Sequence, residues 1–85
     1  MRVAIIAGHK EIYKVEIYEA VLPGLDGEFS VMDFHQPFLF RLRKGIIKIN
    51  KTKGAKSEML KIEDGIAKFT CNSLTILCEK DRHYT

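Results

Sequence analysis

The sequence predicts an all-β domain, a sandwich or barrel of about eight short strands. Three observations carry that prediction. Turn-forming residues recur about every eight to twelve positions. Apolar and polar residues alternate between those turns, and no stretch shows the apolar spacing of an amphipathic helix. Val, Ile and Thr also dominate the apolar runs, and their stiff branched side chains pack well on a pleated surface.

The first run, Val3 to Ala7, is a strand closed by Gly8-His9-Lys10. In the second, Ile12 to Leu22, Tyr13, Val15 and Ile17 share a face opposite Lys14 and Glu16. The alternation loses phase at Tyr18 and Glu19, because Ile17 and Ala20 both call for burial; this predicts a β-bulge. Pro23-Gly24-Leu25-Asp26-Gly27 turns the chain into Glu28 to Met32, and Phe34-His35-Gln36-Pro37 turns it again into Phe38 to Leu42. Lys44-Gly45 precedes Ile46 to Asn50. Lys53-Gly54 and Asp64-Gly65 read as hairpin turns, since glycine takes the positive φ that tight turns demand. They bound strands at Ser57 to Ile62 and Ile66 to Thr70. Asn72-Ser73 leads into the last strand, Leu74 to Cys78, where Leu74, Ile76 and Cys78 oppose Thr75, Leu77 and Glu79.

Composition narrows the class further. A chain of 85 residues holds one domain with a thin core. A hydrophobic fraction of 46% is too high for disorder, and a net charge of +3 is no polybasic tail. Multidomain enzymes, collagen-like chains and disulfide scaffolds are excluded. Cys71 and Cys78 match neither a CxxC pair nor a zinc spacing, and two thiols without a framework fit a reducing compartment. No apolar run approaches the roughly 20 residues that span a bilayer. The N-terminal Met1 to His9 run is too short for a signal peptide and reads as a strand, so a cytoplasmic location is expected.

Chemistry finds little support. Asp33 and His35 stand close together, but His9, His83, Cys71 and Cys78 are scattered, so three or four convergent metal ligands are not in view. Ser30 lies inside a strand pattern rather than at an exposed nucleophile turn. Neither GxxxxGK[ST] nor GxGxxG is present to cradle phosphate. From Arg41 to Lys56 there are seven cations, Arg41, Arg43, Lys44, Lys48, Lys51, Lys53 and Lys56, and no acid. A small basic β-barrel that binds single-stranded nucleic acid through Arg41–Lys56 is therefore one reading. Phe34, Phe38 and Phe40 precede the basic run instead of interleaving with it, which favours a solvated hairpin tip.

The run Gly24-Leu25-Asp26-Gly27-Glu28-Phe29-Ser30-Val31-Met32-Asp33-Phe34-His35-Gln36-Pro37-Phe38-Leu39 resembles the signature of the epsilon subunit of rotary F-type ATP synthases. Gly27-Glu28 supplies the Gly-Glu strand start, His35-Gln36-Pro37 the His-x-Pro turn, and Lys44-Gly45-Ile46-Ile47-Lys48-Ile49 the turn and strand after it. Glu11-Ile12-Tyr13-Lys14-Val15-Glu16-Ile17 and Val21-Leu22-Pro23-Gly24 resemble the opening elements. Gly65-Ile66-Ala67-Lys68-Phe69 and Leu74-Thr75-Ile76-Leu77 resemble the closing pair. The similarity covers nearly all of residues 3–79. Phe34 and Ser30 stand where the family usually has glycine, Asp64 replaces the first glycine of a pair, and Arg43 stands where proline is usual.

The resemblance implies a flattened antiparallel β-sandwich of about 8–10 short strands over residues 1–79, with residues 80–85 as a C-terminal tail. It also implies a non-catalytic place on the central stalk of the synthase, bound to the gamma subunit and touching the membrane ring of c-subunits. Such a subunit couples proton-driven rotation to ATP synthesis at the cytoplasmic face of the bacterial inner membrane. By the same resemblance Glu28 approaches the c-ring, while Ala7, Gly8, His35, Gln36 and Pro37 contact gamma. Full-length family members continue into a two-helix C-terminal hairpin that inhibits hydrolysis and in some members binds ATP. This sequence stops about where that hairpin would begin, and Arg82 alone resembles its first-helix motif. No cofactor, nucleic acid or small-molecule substrate is expected.

Overall fold

In the computed structural model, which describes residues 1–54 and 56–80, the chain forms eight strands. They are β1 (Arg2–Ala7), β2 (Lys10–Glu16), β3 (Glu19–Gly24), β4 (Gly27–Met32), β5 (Phe38–Leu42), β6 (Gly45–Asn50), β7 (Glu58–Thr70) and β8 (Ser73–Lys80). All belong to one hydrogen-bonded sheet, ordered β2-β1-β8-β7-β5-β3-β4, with β6 pairing both β3 and β7. The sheet folds over a single core as a β-sandwich. Strands β1, β8 and the end of β7 supply Val3, Ile5, Leu74, Ile76, Ala67 and Phe69 to that core, with Tyr13 and Val15 of β2 packed against it; β3, β4 and β6 supply Ala20, Leu22, Val31, Ile47 and Ile49. The prediction of an all-β sandwich holds. One pair departs from an antiparallel pattern, since β1 lies parallel to β8.

The fold turns on a bent two-stranded ribbon. β5 pairs β7 from Phe38↔Phe69 to Leu42↔Gly65, and β6 continues against β7 from Gly45↔Ile62 to Ile49↔Glu58. The register does not slip between these two stretches. β5 and β6 thus act as one long partner of β7, bent at Arg43-Lys44 opposite Glu63-Asp64, where Lys44 Nζ lies 3.7 Å from a Glu63 carboxylate oxygen. Against β8 the register of β7 shifts between Ile62 and Asp64. The extra residue changes the phase of β7, so that Ile62 before it and Ala67 and Phe69 after it all face the core.

Two readings of the sequence are corrected here. Asp64-Gly65 is not a hairpin turn but part of this corner. Gly65 is needed for close approach, since a Cβ there would lie 2.8 Å from the Leu77 carbonyl oxygen. The bulge expected at Tyr18-Glu19 is instead a strand break. The Ile17 N–H donates to Met1 and the Tyr18 N–H to Asn50, so the chain leaves β1 and joins β6 at that point. Lys53-Gly54 does lie in the connection between the antiparallel β6 and β7, with Gly54 at φ 78°.

Candidate functional site

Glu28 and the segment His35, Gln36 and Pro37, singled out in the sequence, lie at opposite ends of β4. The first region is the β3–β4 hairpin. Gly24 pairs with Gly27 across Leu25-Asp26, and a Cβ on Gly24 would lie 2.9 Å from both the Gly27 carbonyl oxygen and the Phe29 ring. Only glycine fits so tight a closure. Arg43 fastens this tip to the ribbon corner: its backbone N–H donates to Pro23 at 2.8 Å and its Nε to the Gly24 carbonyl at 3.0 Å. Glu28 follows the tip, exposed, with its carboxylate 3.6 Å from Lys48 Nζ. An exposed pair of this kind contributes at most about 1 kcal/mol, so its geometry leaves Glu28 free to exchange partners.

The second region is the β4–β5 connection, Asp33 to Pro37. The Asp33 carboxylate accepts from the Met1 amine, and the His35 N–H donates to Met32 at 3.2 Å. Between them Phe34 adopts φ 63°, a left-handed conformation that costs a bulky L-residue about 1–2 kcal/mol. Its backbone N–H is held by Asn72 Oδ1 at 2.8 Å, yet its side chain is 85% exposed. Neighbouring rings pack on one another. His35 sits edge-on to Phe38 and Phe69 at 5.3 and 6.0 Å, and Phe38 stacks on Phe40 at 4.8 Å. Phe29 meets both Phe38 and Phe40 edge-on. These aromatic contacts close the side of the sandwich between β4 and β5. The His35 Nδ1 lies 2.8 Å from the Gln36 carbonyl, and His35, Gln36 and Pro37 are all exposed.

Ala7 and Gly8 are not gathered with His35. A continuous register row runs Gly24↔Leu42↔Gly65↔Cys78↔Ala7, which puts the end of β1 level with the Glu28 hairpin. His35 packs at Phe69, four positions along β7 from Gly65, or roughly 13 Å at the rise of a strand. Beside the end of β1 lies an outward row that sequence reading missed. Ile6, Leu77 and Ile66 are direct cross-strand neighbours, with Arg41 next in the row. Leu77 and Ile66 are about half exposed, and the row lines a cleft of about 370 Å³ that Gly8 borders. The signal was present as doubled apolar positions, Ile5-Ile6, Ile66-Ala67 and Ile76-Leu77, which send one side chain of each pair outward.

Other candidates disperse. Among the described residues no group of three metal-ligating side chains is gathered, at Asp33 and His35 or elsewhere; His83 and Arg82 lie outside the described residues, as does most of the 80–85 tail. Ser30 Oγ donates to Glu19, which also accepts from Asn50 Nδ2 at 3.1 Å, so the hydroxyl belongs to a polar network across the sheet. Burial pushes the Cys78 thiol above its ordinary range, with Glu79 and Asp64 adding to the shift, which makes it a poorer nucleophile. Of the seven cations in Arg41–Lys56, Lys44, Lys48 and Lys51 pair with Glu63, Glu28 and Glu58, and Arg43 is bound to backbone. A groove tracking phosphates would leave these groups free.

The family model for the ATP synthase delta/epsilon chain β-sandwich domain matches residues 1–81. The chain belongs to this family. An ATP synthase epsilon chain from Leptospira interrogans is 33% identical over 79 residues, 93% of this chain and 61% of that relative. One from Caulobacter vibrioides is 33% identical over 76 residues, 89% of this chain and 86% of the relative. The chain thus spans about three fifths of the first curated relatives it matches and most of the Caulobacter one. In fold it is similar to a chain of the Tetrahymena thermophila mitochondrial ATP synthase central stalk and c-ring structure, with a TM-score of 0.79 at 16% identity over 99% of this chain and 68% of that one. A chain of the Euglena gracilis mitochondrial ATP synthase gives 0.82 at 20% identity over 89% of this chain and 48% of that one. This epsilon-family sandwich carries Glu28 and the segment His35, Gln36 and Pro37 at the two ends of β4, and Ala7 and Gly8 at the end of β1.

Proposed function

We propose that this chain is a non-catalytic central-stalk component of an F-type ATP synthase. It binds the gamma subunit, contacts the c-ring and couples proton-driven rotation to ATP synthesis. The observation that carries the proposal is the family match across residues 1–81, supported by epsilon-chain relatives that align over about nine tenths of the chain. Residues 1–79 act as the coupling domain and residues 80–85 as a tail. The chain works at the cytoplasmic face of the bacterial inner membrane, held there through the complex. It binds no cofactor, nucleic acid or small-molecule substrate.

The division of labour follows the geometry. Glu28, carried on the tied β3–β4 hairpin, meets polar or basic groups of the c-ring loops by exchanging Lys48 for them. Gamma takes Ala7 and Gly8 with the adjoining outward row Ile6, Leu77 and Ile66, and separately the His35, Gln36 and Pro37 segment further along the sandwich. Such an apolar strip supplies the centre of an interface, whereas the rim charges set orientation. The test is a pull-down on the cognate gamma subunit. Association at or below micromolar concentration is expected, and its absence at micromolar concentration would sink the reading.

A further inference from the structure

We propose that Phe34 is the anchor side chain of the gamma contact, inserted into an apolar pocket of that subunit. The inference rests on the gamma-binding reading above and names a residue that it leaves out. Phe34 combines two unfavourable features. Its backbone is left-handed at φ 63°, a conformation glycine adopts freely and bulky residues avoid. Its ring is 85% exposed and joins none of the aromatic pairs that link Phe29, Phe38, Phe40, Phe69 and His35. Strain that the surroundings hold in place is a mark of functional positions, and here the surroundings do hold it. Asn72 Oδ1 accepts from the Phe34 N–H at 2.8 Å, and the His35 N–H donates to Met32. The ring is thus presented on a fixed backbone with little rotamer freedom to lose, the property that makes aromatic residues binding anchors.

The position also selects the partner. Phe34 leads directly into His35, Gln36 and Pro37, the segment assigned to gamma. Glu28 stands four positions back from Met32, the last residue of β4 and the start of the turn that carries Phe34, roughly 13 Å at the rise of a strand. The proposed ring contact thus sits at the other end of β4, whereas Phe34 continues the segment assigned to the shaft. Met32, exposed two residues earlier, extends the apolar surface on the same end of the strand.

The experiment measures binding of the full chain to its cognate gamma subunit, with wild type, Phe34→Gly, Phe34→Asn and Lys53→Ala in parallel. Both substitutions at Phe34 accept a left-handed φ and remove the ring. Each should weaken gamma binding at least tenfold without lowering the thermal midpoint, while Lys53→Ala, on the far hairpin, binds as wild type does. A photoreactive phenylalanine analogue at position 34 should crosslink to gamma in the assembled complex. Wild-type binding with both Phe34 variants within twofold of it overturns this inference alone. So does crosslinking to a c-subunit, or a fall in thermal midpoint in both variants with gamma binding kept. No binding by wild type overturns the gamma reading itself, and the inference with it.

Discussion

The two ends of β4 solve the problem of a tight connection in opposite ways. At the β3–β4 hairpin the chain uses glycine where the space admits nothing else: Gly24 has the Gly27 carbonyl and the Phe29 ring within contact distance of any added Cβ. The result is a small, well-tied tip whose exposed feature is a charge, Glu28. At the β4–β5 connection the chain places a phenylalanine where glycine would be unstrained, and exposes it. One end is shaped by its own packing and the other carries strain that its own packing does not explain. A residue whose identity the fold demands and one whose identity the fold resists call for different explanations, and only the second points outward.

The comparison can be broken or sharpened by substitution, beginning with the largest effect. Ile76 is fully buried on β8 between the two levels. Ile76→Asp should abolish the cooperative unfolding transition, because an unpaired buried charge costs several kcal/mol against a total stability of about 5 kcal/mol. Urea denaturation followed by circular dichroism checks it, and retention of a native transition would mean that the core is not where the two ends meet. Gly24→Ala should destabilise the hairpin end by about 1–3 kcal/mol through overpacking, read as a lower urea midpoint. Phe34→Gly should act with the opposite sign at the other end, raising stability by up to about 1 kcal/mol once the left-handed strain is relieved. If both glycine-related substitutions destabilise, the contrast between the ends fails.

Glu28→Lys should change stability by about 0.5 kcal/mol or less, since the lost pair with Lys48 is exposed, yet reduce ATP-driven proton pumping in the reconstituted complex. The smallest effect belongs to neither end. On the flank, the Tyr13 hydroxyl donates to Glu58 at 2.9 Å, and burial followed by that bond pushes the Tyr13 pKa from its usual 10.0 up to about 12. The folded state thus favours the neutral phenol. Its stabilisation is full below pH 10 and is lost as pH rises towards 12, so unfolding midpoints should fall over that window in wild type more than in Tyr13→Phe.

Most of the strands were legible because alternation survives wherever one face is buried: Leu74, Ile76 and Cys78 point in, and Thr75 and Leu77 point out. The corner was not, for a physical reason. Glycine after aspartate or lysine reports that a Cβ is unwelcome but not why. At Gly54 the cause is a positive φ, whereas at Gly65 and Gly45 it is a neighbour, the Leu77 carbonyl in one case and Pro23 in the other. The phase loss near Tyr18 was likewise visible, but a bulge and a strand break leave the same trace until pairing partners are known. Of the candidate site, Glu28 and the His35 segment could be named from the motif. Their separation to opposite ends of β4, and the outward row Ile6, Leu77 and Ile66, depend on pairings distant in sequence.

The unbroken β7 has a mechanical consequence. Because this strand of 13 residues runs from its pairing with β6, past the corner, into its pairing with β5 and β8, the two faces of the sandwich share one covalent backbone. A load applied at one face is carried along that backbone, and the hydrogen bonds flanking it resist in parallel instead of peeling apart in sequence. The two faces are therefore tied through one strand as well as through the apolar layer between them.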